Sequence, residues 1–265
     1  MLVKELADQK HPFIYYDEPA TKARAIIREF GLRILPVTDK NKKLLGKISR
    51  RDIMIITSAV SAIQAKGVMT DPKCVLTMKD EISSAVNEML RQTAWYAPVI
   101  DSPRDKTYRA VLSLEDYIRV KLQKDPNKLS KPVSDIMTKE IVTCTPEEEI
   151  DNVWRMMQIR SLAGLPVVRK DKLVGIISQK DMLEHGEVLP TFESKKGRFR
   201  APSKVAAIMK TPVATVKPST RIADAAKIMV TRSVGRIPVV DDRSRLVGIV
   251  DREDVARFLL CGEVE

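Results

Sequence analysis

Along the chain, an apolar stretch ending in Pro-Val is followed by a polar turn, a second apolar stretch, and a short motif that closes on Asp. The first such unit runs Leu32-Arg33-Ile34-Leu35-Pro36-Val37, then Leu44-Leu45-Gly46-Lys47-Ile48, then Ser49-Arg50-Arg51-Asp52. The second runs Tyr96-Ala97-Pro98-Val99-Ile100, Ala110-Val111-Leu112, Ser113-Leu114-Glu115-Asp116. The third is Gly164-Leu165-Pro166-Val167-Val168, Leu173-Val174-Gly175-Ile176-Ile177, Ser178-Gln179-Lys180-Asp181. The fourth is Gly235-Arg236-Ile237-Pro238-Val239-Val240, Leu246-Val247-Gly248-Ile249-Val250, Asp251-Arg252-Glu253-Asp254. Four recurrences of one grammar define an internal repeat, which takes precedence over any local reading.

Ahead of each pair of apolar stretches, apolar residues fall at helical spacing. Ile150, Val153, Trp154 and Met157 share a face in the third repeat; Ile222, Ala225, Ala226 and Met229 do so in the fourth, and Ile82, Val86 and Met89 in the second. Thr145, Pro146 and Glu148 predict the start of the third helix, with a threonine cap, a proline at the first helical position and a capping-box glutamate. Pro19 lies closer to Pro36 than Pro146 does to Pro166, which predicts a first helix that is a turn shorter or displaced. The order per repeat is therefore strand, helix, strand, strand, helix, an α/β fold.

A unit of roughly 55 residues has little core of its own, so the repeats are expected to pair, first with second and third with fourth. The expected divisions are repeats at 1–62, 63–123, 132–186 and 203–265, a Lys-rich linker at 124–131, and a long basic loop at 187–202.

Composition adds the sign of the surface. Lys plus Arg number 46 against 35 Asp plus Glu, a formal net charge of +11, and the excess is spread over both halves. Such a chain is drawn to polyanions. Cys74, Cys144 and Cys261 lie far apart with no Cys-x-x-Cys pair, so neither a zinc site nor a disulfide framework is indicated. No apolar run approaches the roughly 20 residues of a membrane span, and a cytoplasmic protein is expected. There is no phosphate loop, no Gly-x-Gly-x-x-Gly fingerprint, and no nucleophile with its base around His11 or His185; no catalytic residues and no metal are expected.

With Asp135-Ile136-Met137-Thr138 and Ile208-Met209-Lys210 leading into the third and fourth repeats, the chain resembles the CBS family over essentially its whole length. In that family two repeats pack into a Bateman module whose cleft takes a small ligand, often an adenine nucleotide. Two modules in one chain are similar to the gamma subunit of AMP-activated protein kinase and its archaeal tetra-CBS relatives. The resemblance implies AMP, ADP or ATP as a regulatory ligand. It assigns Ser49 with Asp52, Ser113 with Asp116, and Ser178 with Asp181 to phosphate and ribose, helped by Arg51 and Lys180, with Thr143, Gly164 and Pro166 flanking the base. In the fourth repeat Asp251 replaces the usual Ser or Thr, leaving Arg252 and Asp254 for the ligand. The third repeat keeps the fullest match. In the second, Trp95, Tyr96 and the longer turn at Ser102 to Thr107 point to a filled or reshaped cleft. Taken singly, each Ser-x-x-Asp is also a good helix cap.

Two basic clusters stand apart from these motifs. Lys40, Lys42, Lys43, Lys47 and Arg50 crowd the first repeat, and Lys195, Lys196, Arg198, Phe199 and Arg200, followed by Lys204, crowd the long loop. Cations mixed with phenylalanine suit phosphate contacts and stacking on an unpaired base. They favour docking on RNA or a ribosomal surface, as a ribosome-silencing (hibernation) factor would. The alternative is a nucleotide-sensing regulatory subunit of a kinase or other enzyme. A DNA-binding regulator is weakened by the lack of a helix-turn-helix outside the repeats. A homodimer is compatible with either leading reading.

Overall fold

The computed structural model describes residues 1–54, 56, 62–124, 129–185 and 203–261. Each repeat begins with a short 3-10 turn, at Val3–Glu5, Ala65–Gly67, Val133–Asp135 and Val205–Ala207. In the first repeat β1 (Ile14–Tyr15), α1 (Ala20–Glu29), β2 (Ile34–Thr38), β3 (Leu44–Ser49) and α2 (Arg50–Ile53) follow. The second repeats the order with β4 (Leu76–Thr77), α3 (Ile82–Arg91), β5 (Tyr96–Ile100), β6 (Tyr108–Ser113) and α4 (Leu114–Lys124). In the third, α5 (Ile150–Ile159), β7 (Gly164–Arg169), β8 (Lys172–Ser178) and α6 (Gln179–His185) are preceded by a single parallel bridge, Cys144 to Val167. The fourth has α7 (Ile222–Thr231), β9 (Arg236–Val240), β10 (Leu246–Asp251) and α8 (Arg252–Cys261), with Val216 bridged to Val239. Each sheet pairs its two long strands antiparallel and places the motif residue opposite the start of the proline strand: Ile34 with Ser49, Tyr96 with Ser113, Gly164 with Ser178, Arg236 with Asp251.

The repeats interlock through their leading segments. The backbone just after each 3-10 turn lies antiparallel across the second long strand of its neighbour: Asp8 on Val111, Thr70 on Lys47, Thr138 on Ile249 and Lys210 on Ile176. First pairs with second and third with fourth, as modules. This crossing explains the glycine of the Leu-Val-Gly stretch. A Cβ on Gly46, Gly175 or Gly248 would meet the thioether of Met69, Met209 or Met137 respectively, at 3.2, 2.7 and 2.5 Å. The second repeat carries Ala110 at this position, and the crossing segment there carries the small Ala7 where the others have Met; both alanines are buried. A methyl on one side is matched by a deletion on the other.

The helices bind the modules to each other. One core joins α3 and α4 of the second repeat to α7 and α8 of the fourth, with Val86, Met89, Tyr117, Ile118, Ala226 and Met229 among its buried members. Another joins the first repeat to the third through Ile27, Ile53, Val153, Met157 and Met182. Both cores therefore run across the module boundary.

Three expectations change. Helix α1 has ten residues, the length of α3, α5 and α7. Its Pro19 is the N-cap residue, whereas Pro146 and Pro218 lie a full turn ahead of α5 and α7; the prolines are not equivalent. For the same reason Thr145 does not cap α5. Its N–H donates to Glu148 Oε1 at 2.8 Å in the turn before the helix, and Glu149 holds the N-cap position. The segment read as a linker begins inside α4, which runs to Lys124, and includes the fully buried Leu129. Residues 187–202, the basic aromatic loop, lie outside the described residues. No described helix is long and apolar enough to cross a membrane.

The glycine-methionine contact gives a direct test. Gly248→Ala is expected to destabilise the protein by about 1 to 3 kcal/mol in urea denaturation, as overpacking does. Adding Met137→Ala to that variant is expected to recover part of the loss, giving a coupling energy of about 1 kcal/mol or more in the double-mutant cycle.

Candidate functional site

The Ser-x-x-Asp motifs sit where a strand hands over to a helix, and their geometry is shared. In the third repeat the Ser178 N–H and hydroxyl both donate to Asp181 Oδ2, at 2.8 and 2.5 Å. Ser49 does the same to Asp52 Oδ2, at 2.7 Å for both bonds, and Ser113 to Asp116 Oδ2 at 3.0 and 2.6 Å. These are helix caps, and they also hold one carboxylate oxygen fixed, leaving the other for further bonds. The chain supplies cations of its own to two of them. Lys47 Nζ lies 3.2 Å from Asp52, and Lys210 Nζ lies 2.9 Å from Asp181.

Two cavities open where the four repeats meet. The smaller, about 190 Å³, holds Gly164, Ser178, Lys180 and Asp181 of the third repeat. Its opposite wall is Lys210 and the stretch Arg232 to Arg236 of the fourth. Arg33 and Arg50 enter from the first repeat and Trp95 from the second. Six cationic side chains thus face one carboxylate. The larger cavity, about 490 Å³, lies between the first and second repeats and is lined by Lys47, Lys73, Tyr96 and Pro98, again with Arg33, Trp95 and Arg236. The two cavities share the Trp95 wall. Its ring lies 6.0 Å from the Arg33 guanidinium and 5.3 Å from that of Arg236, and its N–H donates to Glu253 at 3.3 Å. Cations stacked on an indole face are stabilised without being neutralised.

These arginines are held out of water beside one another. Burial pulls the Arg50 guanidinium down to about 10, with the Arg33 charge as the next cause, and burial likewise lowers Arg33. A site of this kind stabilises an anion brought into it, because Arg33 and Arg50 are already desolvated.

Of the residues assigned to the ligand, Gly164, Ser178, Lys180 and Asp181 come together in the smaller cavity. Thr143 and Pro166 do not line it. Thr138 exchanges backbone hydrogen bonds with Ile249 of the fourth repeat at 2.9 Å in both directions, whereas Cys144, next to Thr143, bridges Val167 of its own repeat. The wall opposite a Ser-x-x-Asp motif belongs to the neighbouring repeat, a consequence of the crossing leading segments. Arg252 is not available to a phosphate. It is buried, its Nη1 donates to the Tyr96 hydroxyl at 3.0 Å, and it pairs with Glu115, tying the fourth repeat to the second. Arg51 is exposed and lines neither cavity. Ser113 and Asp116 line neither cavity; Ser113 pairs with Tyr96, which packs with Phe13 against the local apolar cluster of Ile34, Tyr108 and Val111. His11 belongs to the same packing, accepting the Tyr108 hydroxyl on its carbonyl at 3.1 Å and touching the Ile34 carbonyl through Nε2 at 3.0 Å.

The first basic cluster is divided. Arg50 is buried and donates to the Gly31 carbonyl; Lys43 pairs with Asp105 and bonds Thr107 at 2.9 Å; Lys47 serves Asp52 and Thr70. Lys40 pairs with Asp17 at 2.7 Å on the surface, and Lys42 and Lys204 remain exposed. Lys195, Lys196, Arg198, Phe199 and Arg200 lie outside the described residues.

Sequence reasoning left Arg33, Lys210 and Arg232 out of the site. One signal was present: Arg33, Trp95, Ala163 and Gly235 each stand three positions ahead of their repeat's proline, and all four line the smaller cavity. No group of His, Cys, Asp or Glu among the described residues is arranged to hold a metal ion.

The CBS-domain profile matches residues 3–57, 133–187 and 205–261. The interval it leaves contains the second sheet, built in the same order as the others. The uncharacterized protein MJ1225 of Methanocaldococcus jannaschii is 28% identical, over 97% of this chain and 98% of its own. The crystal structure of MJ1225, described as a candidate archaeal homolog of g-AMPK, matches with a TM-score of 0.86 at 26% identity, covering 97% of this chain and 99% of that one. A conserved protein from Pyrococcus horikoshii shares the fold, with a TM-score of 0.67 at 22% identity over 98% and 100% of the two chains.

The fourth repeat's motif carries a pH dependence. Burial raises the Asp254 carboxyl to about 7, with the Asp251 charge as the next cause, and burial also raises Asp251 while Arg236 opposes it. The unfolded chain holds Asp at about 4, so between about 4 and 7 the folded state binds the extra proton, and stability falls as pH rises through that window. Asp254→Asn keeps an acceptor for the Asp251 N–H, which now donates to Asp254 Oδ2 at 2.8 Å. The variant is expected to flatten the dependence of Tm on pH and to raise Tm at pH 8 by about 5 °C, measured by scanning calorimetry.

Proposed function

The chain belongs to the CBS-domain family, and from that premise we propose that it is a non-catalytic regulatory protein whose clefts take an adenine nucleotide, AMP, ADP or ATP. One observation carries this reading: six cations converge on a cavity that also holds the fixed Ser178 and Asp181 pair. The cations suit phosphate, the carboxylate suits a ribose diol, and the Trp95 face with Ala163 and Val234 offers an apolar wall to a base. The larger cavity offers the cations Arg33, Lys47, Lys73 and Arg236 but is not lined by Ser49 or Asp52, and Asp251 and Glu253 enter it. The second repeat's motif lines neither cavity, and in the fourth the Asp251 and Asp254 carboxyls oppose a phosphate. The reading therefore centres on the third repeat, where the motif pair and the cations line one cavity.

Such a protein acts by offering a different surface with and without its ligand. The cavities are lined by all four repeats, so a bound nucleotide touches both modules and their relative placement. A kinase or other enzyme is the partner class that the description of MJ1225 supports. Calorimetric titration with AMP, ADP and ATP tests the ligand. Binding of at least one is expected, weakened roughly tenfold or more by Asp181→Asn, because a charge-assisted hydrogen bond is worth about 1.5 to 3 kcal/mol. No heat and no thermal shift with any of the three would remove the assignment.

A second reading, docking on RNA or a ribosomal surface in the cytoplasm, keeps the support of the +11 net charge and of the exposed Lys42 and Lys204. It loses Lys40, Lys43, Lys47 and Arg50 to internal contacts. It predicts co-sedimentation with ribosomal particles at low salt that is lost at moderate salt, since phosphate contacts release counterions. It also predicts weaker association after replacing Lys195, Lys196, Arg198 and Arg200 with Ala. A protein that stays at the top of the gradient at both salt concentrations overturns it.

A further inference from the structure

The leading segments of the second, third and fourth repeats read Val68-Met69-Thr70, Ile136-Met137-Thr138 and Ile208-Met209-Lys210. Lysine stands in the last where the others have threonine. Because each segment crosses its neighbour's second strand, this position is delivered to the motif carboxylate of the neighbour. Thr70 reaches Asp52, its hydroxyl donating to Oδ2 at 3.3 Å. Lys210 reaches Asp181.

The details at Asp181 matter. Its Oδ2 already accepts the N–H and hydroxyl of Ser178, and the residue is only 2% exposed. Oδ1 is the oxygen left to accept: it has no aligned hydrogen-bond donor, and Lys210 Nζ forms an ion pair with it at 2.9 Å. The pairing with Asp181 raises the Lys210 ammonium above its ordinary value, so it is charged at neutral pH. A second carboxylate stands nearby, with Glu184 Oε2 at 3.9 Å from the same ammonium, and the Lys210 side chain is half exposed. The lysine is therefore held by one buried acceptor, has another within reach, and is free on its outer side to move.

We propose that Lys210 is an internal occupant of the ribose position in the third cleft, a specificity-determining residue that a ligand's hydroxyls must displace from Asp181 Oδ1 toward Glu184. The proposal rests on the nucleotide reading above and names what regulates that site. It makes the first and third clefts unequal. At the first motif both Thr70 and Lys47 meet Oδ2 of Asp52, leaving Oδ1 without a partner among the described residues, whereas at the third an ion pair to the buried Oδ1 has to be broken before the diol is accepted.

Titration of the full chain with AMP and with 2′,3′-dideoxy-AMP, which lacks the diol, separates the alternatives. Asp181→Asn identifies which binding event belongs to the third cleft. In Lys210→Thr, which copies Thr70 and Thr138, AMP is expected to bind that cleft roughly tenfold tighter than in the parent protein. Lys210→Met, which keeps the aliphatic stem, is expected to do the same. The gain is expected to vanish with the dideoxy ligand and in the Asp181→Asn background. Unchanged affinity in both Lys210 variants overturns the proposal while leaving the nucleotide site standing. Weaker binding in both overturns it in favour of a phosphate contact by Lys210. If neither the parent nor the variants bind AMP at millimolar concentration, the nucleotide reading falls and this proposal falls with it.

Discussion

The apolar helix faces of these repeats can be covered only by one another. A two- or three-stranded sheet with two short helices leaves one helical face bare, and a single repeat has too little core to stand alone. The strands find partners inside a module, through the crossing leading segments, but the helices find theirs across modules. Met89 and Tyr117 of the second repeat meet Ala226 and Met229 of the fourth, and Ile27 and Ile53 of the first meet Met157 and Met182 of the third. Removing either module would expose both cores. The four repeats therefore form one cooperative body, and their equivalent positions are driven toward a common meeting place.

That meeting place is where the charge accumulates. The residue three positions ahead of each repeat proline is Arg33, Trp95, Ala163 or Gly235, and the four converge on one cavity. Their sizes are complementary. Gly235 has no side chain because the Trp95 ring occupies its space, with a built Cβ meeting that ring at 2.9 Å and Arg33 Nη2 at 3.1 Å. Trp95 in turn has the guanidinium groups of Arg33 and Arg236 within 6.0 and 5.3 Å of its ring. Repeats that began alike have diverged so that one large aromatic fills the centre, the cations line it, and two clefts are left open. Burial of the arginines is held by the helical cores around them, so the electrostatic character of the site depends on the same packing that makes the fold stable.

The repeat order and the fold were legible because strand and helix periodicities, the Pro-Val strands and the Ser-x-x-Asp hand-over recur four times with local causes: pleat, helical turn and cap. The carboxylate and serine of the candidate site were legible for the same reason. The start of α5 was misplaced because Thr145, Pro146 and Glu148 make a capping pattern in the turn ahead of the helix, and only the packing of Ile150 decides where helix begins. The role of Arg252 could not be read, since its position beside Asp254 suggests a ligand contact while its side chain is spent on Tyr96 and Glu115.

Taken by itself, the sequence determined what depends on residues near one another along the chain: the elements, their order, the capped carboxylates and the sign of the net charge. Tertiary structure decided which repeat supplies the opposite wall of each cleft, which cations face it, and which lysines are consumed in internal pairs. The reason is the crossing of the leading segments. It carries Thr70 to Asp52 and Lys210 to Asp181, and no local periodicity records which neighbour a segment will cross.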